Sequence, residues 1–155
     1  MAVFPLAFIK NIHKDRTHKT TTMMTKNHEV IYVEDLQIPN MTASAKGTIE
    51  APGTNVKAKS GLNRAILHQS WGELQRQLTY KQEWRGGQVI FVPPHNTSRR
   101  CSSCGYTDAE NRKSQAKFCC LKCGYLDNAD LNAAKNILAV GHTVRACGVI
   151  TQSTA

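Results

Sequence analysis

The 155-residue sequence lacks any apolar run that approaches the roughly 18 residues of a membrane span. Its apolar start, residues 1–9, has no basic segment before it and no small-residue cleavage site after it, so a signal peptide is not expected. Acidic residues are also few, because eleven Asp and Glu stand against twenty Lys and Arg and leave a net charge of +9. These absences argue against a membrane protein and favour a soluble chain with a polyanionic partner, most commonly nucleic acid.

Four of the six cysteines form two pairs with the same CxxC spacing, within residues 101–104 and 120–123. Thiolates at this spacing converge on one tetrahedral zinc ion, because two intervening residues allow a tight turn that directs both sulfurs inward. Glycine ends each pair, at Gly105 and Gly124, and supplies the positive φ that such a turn usually requires. Disulfides or free buried thiols are the alternative. The predicted zinc ligands are Cys101, Cys104, Cys120 and Cys123.

Two short apolar runs predict β-strands. Residues 30–33 read Val-Ile-Tyr-Val, and residues 88–92 form a second run that Pro93 and Pro94 terminate. An unbroken apolar strand is typically buried on both faces, as in the middle of an α/β sheet. The first strand delivers Glu34 to its carboxyl end, where open α/β sheets place their ligands.

The segments around these strands predict helices and one long loop. Residues 12–27 are polar and basic and predict a helix, whereas residues 42–61 are rich in Thr, Ala, Lys, Gly and Ser and predict an exposed loop. From Asn63 to Gly86, apolar residues recur at helical spacing and predict a single helix. The apolar positions of that helix are Leu67, Trp71, Leu74 and Leu78.

A last helix is predicted to begin after Asn128, which is a candidate N-cap, and to close at Gly141. Asp130 lies in its first turn. Its apolar stripe is formed by Leu131, Ala134 and Leu138.

Glu34 and Asp130 are candidate ligands of a divalent cation. Carboxylates that converge at a sheet edge hold Mg²⁺, which activates water and stabilises the leaving oxygen of a phosphodiester. Each acid also has a simpler explanation. Glu34 is also explained as a solvated residue at a strand end, and Asp130 as a favourable partner of the helix dipole, worth about 0.3–1 kcal/mol.

Four motifs in order resemble the C-terminal half of the transposon-encoded OrfB/TnpB proteins, and the resemblance covers roughly residues 13–148. The first two motifs are the strand and acid of residues 30–36 and the stretch of residues 71–89. The third is the TSxxCSxCG pattern of residues 97–105, and the last is the DxNAAxNIL pattern of residues 130–138. This ordered set is far more specific than a zinc signature alone.

The resemblance implies an RNase H-like (RuvC) nuclease fold and guide-RNA-directed cleavage of DNA in the cytoplasm of a prokaryote. The expected fold class is therefore α/β, a partial RNase H-like (RuvC) fold that lacks its first strands and carries an inserted four-cysteine zinc ribbon. The expected domains are a non-family segment at 1–12, a partial RuvC-like domain at 13–96, the ribbon at 97–127, a final nuclease-domain helix at 128–141 and a C-terminal tail at 142–155.

Carried over residue by residue, the second catalytic acid of the family falls on Glu34 and the third on Asp130. The resemblance implies Mg²⁺ or Mn²⁺ as the catalytic ion and Zn²⁺ as a structural ion. The first catalytic acid lies in a DxG-type turn and has no counterpart here, because only Asp15 and Glu29 precede Glu34 and neither lies in such a turn. We therefore expect this polypeptide alone to be inactive or a very poor nuclease.

The alternative is a non-catalytic zinc-ribbon module that binds DNA or RNA through basic residues. A structural zinc ribbon without any link to transposition is a third possibility, which the four ordered motifs disfavour. The expected partners are DNA and, in the full-length form, a guide RNA; no membrane partner is expected, and the oligomeric state is open. The candidate nucleic-acid contacts are Lys81, Arg85, Arg99, Arg100, Arg112 and Lys113.

Overall fold

The computed structural model describes residues 6–148, so the ends of the predicted N-terminal segment and C-terminal tail lie outside the described residues. No helix in this part of the chain is long and apolar enough to cross a membrane. The elements are α1 (Leu6–Asn27), β1 (Val30–Glu34), α2 (Ile38–Met41), α3 (Val56–His68), α4 (Trp71–Arg85), β2 (Gln88–Val92), a 3-10 turn (Ala109–Asn111), β3 (Lys117–Cys119), β4 (Leu126–Asn128) and α5 (Ala129–Ala146).

The mixed α/β chain divides into two compact units. Unit 1 comprises residues 1–29 and 37–88, and it contains α1 to α4. Unit 2 comprises residues 30–36 and 89–155, and it contains β1, most of β2, the cysteine pairs and α5. Both predicted acids and all four predicted zinc ligands therefore belong to unit 2.

In unit 1, α1 packs against α4 through a largely polar interface. Thr21 and Gln77 are fully buried there, beside the buried Leu78, and the Thr21 hydroxyl lies 2.9 Å from Gln77 Oε1. Lys81 Nζ donates to the hydroxyls of Thr21 at 2.7 Å and Thr22 at 2.8 Å. Partial burial lowers the pKa of Lys81. The helix predicted for residues 12–27 is confirmed, and it begins earlier, at Leu6.

Two predictions for unit 1 are wrong. The loop predicted for residues 42–61 ends at Asn55, because α3 begins at Val56. The single helix predicted from Asn63 is interrupted before α4, since Ser70 adopts a left-handed conformation with φ of 55°. In the sequence, apolar residues recur at helical spacing on both sides of Ser70. The periodicity therefore does not indicate that the helix is interrupted there. Leu67, just before the interruption, is exposed.

β1 and β2 form a two-stranded parallel sheet that belongs to unit 2 apart from Gln88 at the start of β2. Gln88 N donates to Glu29 O and Asp35 N donates to Val92 O, both at 2.8 Å, so the pairing advances in the same direction along both strands. Residues 90–92 of β2 are buried, as predicted for a core strand. The same prediction is wrong for β1, in which Ile31 is buried and the other residues are half-buried.

The prediction that the last helix closes at Gly141 is wrong, because α5 continues to Ala146. Residues 142–146, assigned above to a C-terminal tail, are therefore helical. Gly141 is buried against the ring of Tyr32 on β1, and a Cβ atom at this position would overlap that ring. Glycine here permits close packing of helix and strand.

The predicted apolar stripe of α5 is also wrong. Leu131 and Leu138 are 56% and 47% exposed, whereas the residues buried along the helix are Asn132 and Asn136, together with Ala129 and Gly141. The predicted N-cap is confirmed, because the Asn128 side chain accepts hydrogen bonds from the backbone N–H groups of Asp130 and Leu131. Asn132 and Asn136 thus lie with Ala129 on one buried face of α5, and Gly141 packs against Tyr32 on another.

Replacement of Gly141 by alanine should reveal this close contact. We expect Gly141→Ala to lower the free energy of unfolding by about 1–3 kcal/mol, because the added methyl group overlaps Tyr32. The contrasting variant is Gly61→Ala in α3, where no atom lies within 4 Å of the added Cβ and where alanine should stabilise by about 0.5–1 kcal/mol. Urea unfolding followed by circular dichroism measures both; a stabilising Gly141→Ala would contradict the packing.

Candidate metal centres

The four sulfurs of the two CxxC pairs come together in unit 2, all within 4.8 Å of one another. Cys101 Sγ lies 3.8 Å from Cys123 Sγ, and Cys104 Sγ lies 3.6 Å from Cys120 Sγ. A tetrahedral zinc site with bonds of about 2.3 Å has sulfur–sulfur edges of about 3.8 Å. The cluster therefore has the dimensions that one ion requires. None of the six cysteines forms a disulfide.

The two CxxC pairs adopt the same backbone arrangement. Gly105 N donates to Cys101 O and Gly124 N donates to Cys120 O, both at 2.9 Å. Both glycines have positive φ, 76° and 71°, which confirms the role predicted for them. The backbone N–H of the first cysteine in each pair donates to the carbonyl five residues later, from Cys101 to Tyr106 at 2.8 Å in one case. The second pair repeats this bond from Cys120 N to Tyr125 O at 2.9 Å.

One cysteine of each pair is buried and the other is exposed. Cys101 and Cys120 pack with Phe118 and Ala129 in a small apolar core, whereas Cys104 and Cys123 face solvent. Burial acts to raise the pKa of the Cys120 thiol, but hydrogen bonds from the backbone N–H groups of Cys123 and Lys122 and from neighbouring thiols lower it to about 7. This environment favours the thiolate of Cys120, which is the form that binds a metal. At Cys123 the backbone N–H of Tyr125 acts to lower the pKa, but hydrogen bonds with neighbouring thiols and burial raise it to about 12.

A buried asparagine that was not predicted from the sequence links the two pairs. Asn111 Nδ2 donates to Arg99 O at 3.0 Å and to Tyr106 O at 3.3 Å, on the side of the first pair. Asn111 Oδ1 accepts from Leu121 N at 2.9 Å, inside the second pair. Its side chain therefore fixes the separation of the two turns. The sequence signal was a polar residue between the two CxxC pairs.

Two asparagines of α5, also missed from the sequence, bind the backbone around the first cysteine pair. Asn132 Oδ1 accepts from Ser102 N at 3.0 Å, and its Nδ2 donates to Arg100 O at 2.8 Å, so one amide brackets Cys101. Asn136 Nδ2 donates to Arg100 O at 2.7 Å and to Thr97 O at 2.8 Å. We call Asn132 and Asn136 the asparagine clasp. Their spacing of four residues, on one helix face, was the available signal.

Glu34 reaches the clasp through Thr97. The Thr97 hydroxyl donates a hydrogen bond to Glu34 Oε1, and Thr97 is almost fully buried. Because the carbonyl of the same residue accepts from Asn136, Thr97 connects the carboxyl end of β1 to α5. The acid predicted from the strand end is thus held by a hydroxyl of the cysteine-rich motif.

Asp130 lies in the first turn of α5 with 79% of its side chain exposed, and its Oδ1 is 3.0 Å from Arg112 Nη2. Residues spaced by three, four, seven and eleven share a helix face, so Asp130 lies on the same face as Gly141. Gly141 packs on Tyr32, two residues before Glu34. This face of α5 therefore contacts β1 at Gly141, about three helical turns after Asp130. Within residues 6–148, however, the four cysteines form the only group of three or more ligating side chains close enough to share an ion.

The start of α5 is also held to β4. Lys135 Nζ lies 2.7 Å from Asp127 Oδ2 and 2.9 Å from the Tyr125 hydroxyl, which in turn donates to Asp127 at 2.8 Å. Hydrogen bonds from Lys135 and Tyr125 lower the pKa of Asp127, and hydrogen bonds to Asp127 and Tyr125 raise the pKa of Lys135. This ion pair fixes the turn that leads from the ribbon into Asp130.

The predicted nucleic-acid contacts fall into two groups. Lys81 and Arg85 belong to unit 1 and bind α1, since Arg85 Nε donates to Thr25 O at 3.0 Å. Arg112 pairs with Asp130. The remaining three are exposed residues of unit 2: Arg99, Arg100 and Lys113.

Residues 71–137 match the protein family described as Cas12f1-like, TNB domain. InsQ of Escherichia coli (strain K12), named as a proposed RNA-guided DNA endonuclease, is 60% identical over 145 residues, which are 94% of this chain and 36% of InsQ. The CRISPR-associated endodeoxyribonuclease Cas12f1 of Sulfoacidibacillus thermotolerans is 38% identical over 131 residues, 83% of this chain and 30% of that protein. The chain thus spans about a third of the length of these relatives.

Two solved structures have a similar fold. A chain of the cryo-EM structure of the Cas12f1–sgRNA–target DNA complex matches with a TM-score of 0.54 and 26% identity, over 84% of this chain and 33% of that chain. CasPhi-2 (Cas12j) bound to crRNA matches with a TM-score of 0.52 and 22% identity, over 85% of this chain and 20% of that chain. The second likeness concerns the fold alone.

Metal content tests the cysteine cluster. We expect one tightly bound zinc ion per purified chain, and its loss in the Cys101→Ser, Cys104→Ser double variant, because two of four ligands are removed. The matched control is the Cys119→Ser, Cys147→Ser double variant, which alters two cysteines outside the cluster and should keep its zinc. Inductively coupled plasma mass spectrometry measures the ion; a metal-free or disulfide-bonded wild-type chain would refute the site.

Replacement of Asn136 tests the asparagine clasp. Asn136→Ala should lower the free energy of unfolding by about 1–3 kcal/mol, because the buried carbonyl of Thr97 loses its donor. Asn11→Ala is the control, since it makes the same change of helix propensity at an exposed position of α1. Urea unfolding of both variants provides the comparison. Equal effects at the two positions would show that the hydrogen bonds of Asn136 contribute little.

Proposed function

The chain belongs to the OrfB/TnpB family of transposon-encoded, RNA-guided DNA endonucleases, and on that premise we propose that unit 2 supplies part of a metal-dependent DNA cleavage site within a partial RuvC-like fold. The observation that carries the proposal is 60% identity to InsQ over 94% of the chain. The chain spans about a third of the length of these relatives, so guided DNA cleavage by a full-length protein is part of the proposal.

Glu34 and Asp130 are the proposed catalytic carboxylates. Mg²⁺ or Mn²⁺, when bound, would activate water and stabilise the leaving oxygen of the phosphodiester. Thr97 orients the Glu34 carboxylate through its hydroxyl, and α5, which packs on β1 at Gly141, carries Asp130 in its first turn. The Arg112 guanidinium neutralises Asp130, so a cation that binds this carboxylate must compete with the ion pair.

The four-cysteine cluster is proposed to hold structural zinc. Its sulfur separations of 3.6 and 3.8 Å support tetrahedral coordination. Metal binding supplies folding free energy to small cysteine-rich modules. The asparagine clasp attaches α5 to the backbone around the first cysteine pair, so an ordered cysteine pair also fixes the position of α5. Zinc would therefore help to hold Asp130 and Thr97 in place without taking part in cleavage.

DNA and a guide RNA are the proposed partners. The similar Cas12f1 structure is a complex with an sgRNA and a target DNA. Three cations of unit 2 are proposed to contact phosphates, because their exposed side chains are accessible to a nucleic acid. They are Arg99, Arg100 and Lys113. Lys81, Arg85 and Arg112 remain candidates whose present contacts lie within the chain.

A second candidate function is a zinc-ribbon module that binds nucleic acid without cleaving it. The observation that favours it is that both acids already have protein partners, Thr97 for Glu34 and Arg112 for Asp130. No third acid joins them in a ligating group within the described residues. For the 155-residue polypeptide alone, we therefore propose very weak or no cleavage.

A chimera separates these two functions. When the 145 matched residues of this chain replace their equivalents in InsQ, we expect guided DNA cleavage in the presence of Mn²⁺ or Mg²⁺. Glu34→Ala or Asp130→Ala in the chimera should reduce the cleavage rate at least about a hundredfold, because a metal-binding carboxylate is lost. Asp15→Ala, which removes an exposed acid of α1, is the matched control.

The isolated 155-residue chain is assayed in parallel on single- and double-stranded DNA. It should cut little or not at all. Robust cutting by the chain alone that disappears in Glu34→Ala would contradict the proposed need for a third acid. A chimera that folds and binds its guide RNA but does not cleave would favour the non-catalytic module.

A further inference from the structure

The positive charge of the chain is concentrated in unit 1. This unit has twelve of the twenty Lys and Arg residues but only five of the eleven Asp and Glu, so it accounts for +7 of the net charge of +9. Unit 2, which contains the cysteine cluster and both proposed catalytic acids, has a net charge of only +2. An electrostatic attraction for nucleic acid should therefore arise mainly from unit 1.

A cavity of about 620 Å³ in unit 1 gathers part of this charge. It lies between the first turns of α3 and the loop that precedes this helix. Three cations line it, Lys46 from the loop and Lys57 and Arg64 from α3, together with hydroxyl groups that include Ser44 and Ser60. No lining residue is acidic. We call Lys46, Lys57 and Arg64 with the cavity they line the basic pocket.

The loop side of the basic pocket is built by hydrogen bonds. Lys59 Nζ donates to Met41 O at 2.6 Å, and Asn63 Nδ2 donates to Thr42 O at 2.8 Å, so α3 holds the start of the loop. Lys46 O accepts from Gly53 N at 2.9 Å, which closes a turn around residues 47–52. Lys46 is thus held opposite α3 rather than extended on an open chain, and the cations converge from two segments.

The helix that forms the other side of the basic pocket adds to its positive electrostatic potential. α3 has 13 residues, no acidic residue in its first turn and no side chain that caps its start. The positive end of its dipole therefore lies beside Lys57 without a neutralising carboxylate. A negatively charged ligand gains from both sources.

The lining also indicates which part of a nucleic acid fits. No aromatic side chain lines the pocket, so bases have no surface on which to stack. Lysine, arginine and serine are the side chains that commonly contact phosphate oxygens and sugars. The volume exceeds that of a single phosphate and suits a short stretch of sugar-phosphate backbone.

We propose that the basic pocket binds the sugar-phosphate backbone of a nucleic-acid strand through Lys46, Lys57 and Arg64, without reading the bases. This inference rests on the proposed function, from which it takes nucleic acid as the negatively charged ligand of the basic pocket. It assigns to unit 1 a contact site that none of the residues predicted from the sequence occupies, since Lys81 and Arg85 lie on α4 and bind α1.

Fluorescence anisotropy with a labelled single-stranded oligothymidylate tests the proposal on the 155-residue chain. Lys57→Gln, Arg64→Gln should raise Kd about tenfold at low salt and reduce the slope of log K against log salt by about 1.4, because each phosphate contact to a single strand contributes about 0.7. The control, Lys14→Gln, Arg16→Gln, removes the same charge from exposed positions of α1 in the same unit and should change Kd less than about twofold.

Circular dichroism and zinc content establish that each variant is folded. Should the pocket double variant misfold, the single variant Lys46→Gln, on the exposed loop, takes its place and should reduce the slope by about 0.7. An equal loss of affinity in the control would overturn the proposal, because it would indicate a diffuse field rather than a site.

Two further probes separate phosphate binding from other recognition. A methylphosphonate oligonucleotide, whose backbone is uncharged, should bind the wild type and the pocket variant equally. DNA and RNA strands of the same sequence, and strands of different sequence, should each lose affinity in the pocket variant. A loss confined to one sugar or one base sequence would overturn the proposal.

Different experimental outcomes would refute the basic pocket and the proposed function. If the wild-type chain binds oligonucleotides but the pocket variant matches its control, only the pocket is refuted, and the cleavage by the chimera is untouched. If the wild type binds no oligonucleotide at all, both the pocket and the nucleic-acid partner of the proposed function are refuted.

Discussion

Unit 2 depends on hydrogen bonds from two buried asparagine side chains to the backbone. Asn132 and Asn136 bind the chain on both sides of Cys101 and at Thr97, and so attach α5 to the cysteine cluster. A buried carbonyl without a donor costs about 1–3 kcal/mol, so each of these contacts discriminates strongly between a docked and an undocked helix. Apolar packing has no comparable directionality, and it would leave the angle of the helix, and hence Asp130, less well defined.

The sequence predicts the parts of unit 2 that rest on local rules. CxxC spacing, a glycine after each pair and an asparagine before a helix each act within a few residues, and the structure has Gly105, Gly124 and the Asn128 cap in these roles. Hydrophobic periodicity fails for α5, because it assumes that apolar side chains face inward. Here Leu131 and Leu138 are exposed and the amides are buried, since their partners are backbone groups thirty or more residues away in sequence.

Prediction from the sequence is inaccurate in unit 1 for a related reason. Its central contact is also polar, with Thr21, Gln77 and Lys81 at the interface of α1 and α4. Residues of this kind are expected on surfaces, so their pattern does not reveal which face packs. The interruption at Ser70 is equally invisible, because a left-handed serine has no strong signature and the apolar spacing continues on either side of it. In unit 2, Glu34 and Asp130 are predicted from their place at element ends, whereas Thr97, which binds Glu34, is predicted only as part of a motif.

The alternation of buried and exposed sulfurs in the cysteine cluster gives the centre an inner and an outer side. Cys101 and Cys120 are enclosed by Phe118 and Ala129, whereas Cys104 and Cys123 face the surrounding water. A chelator or a thiol-modifying reagent would therefore meet Cys104 and Cys123 first. If the cluster holds zinc as proposed, the enclosed Cys101 and Cys120 would keep their position while such a reagent acts on the outer pair.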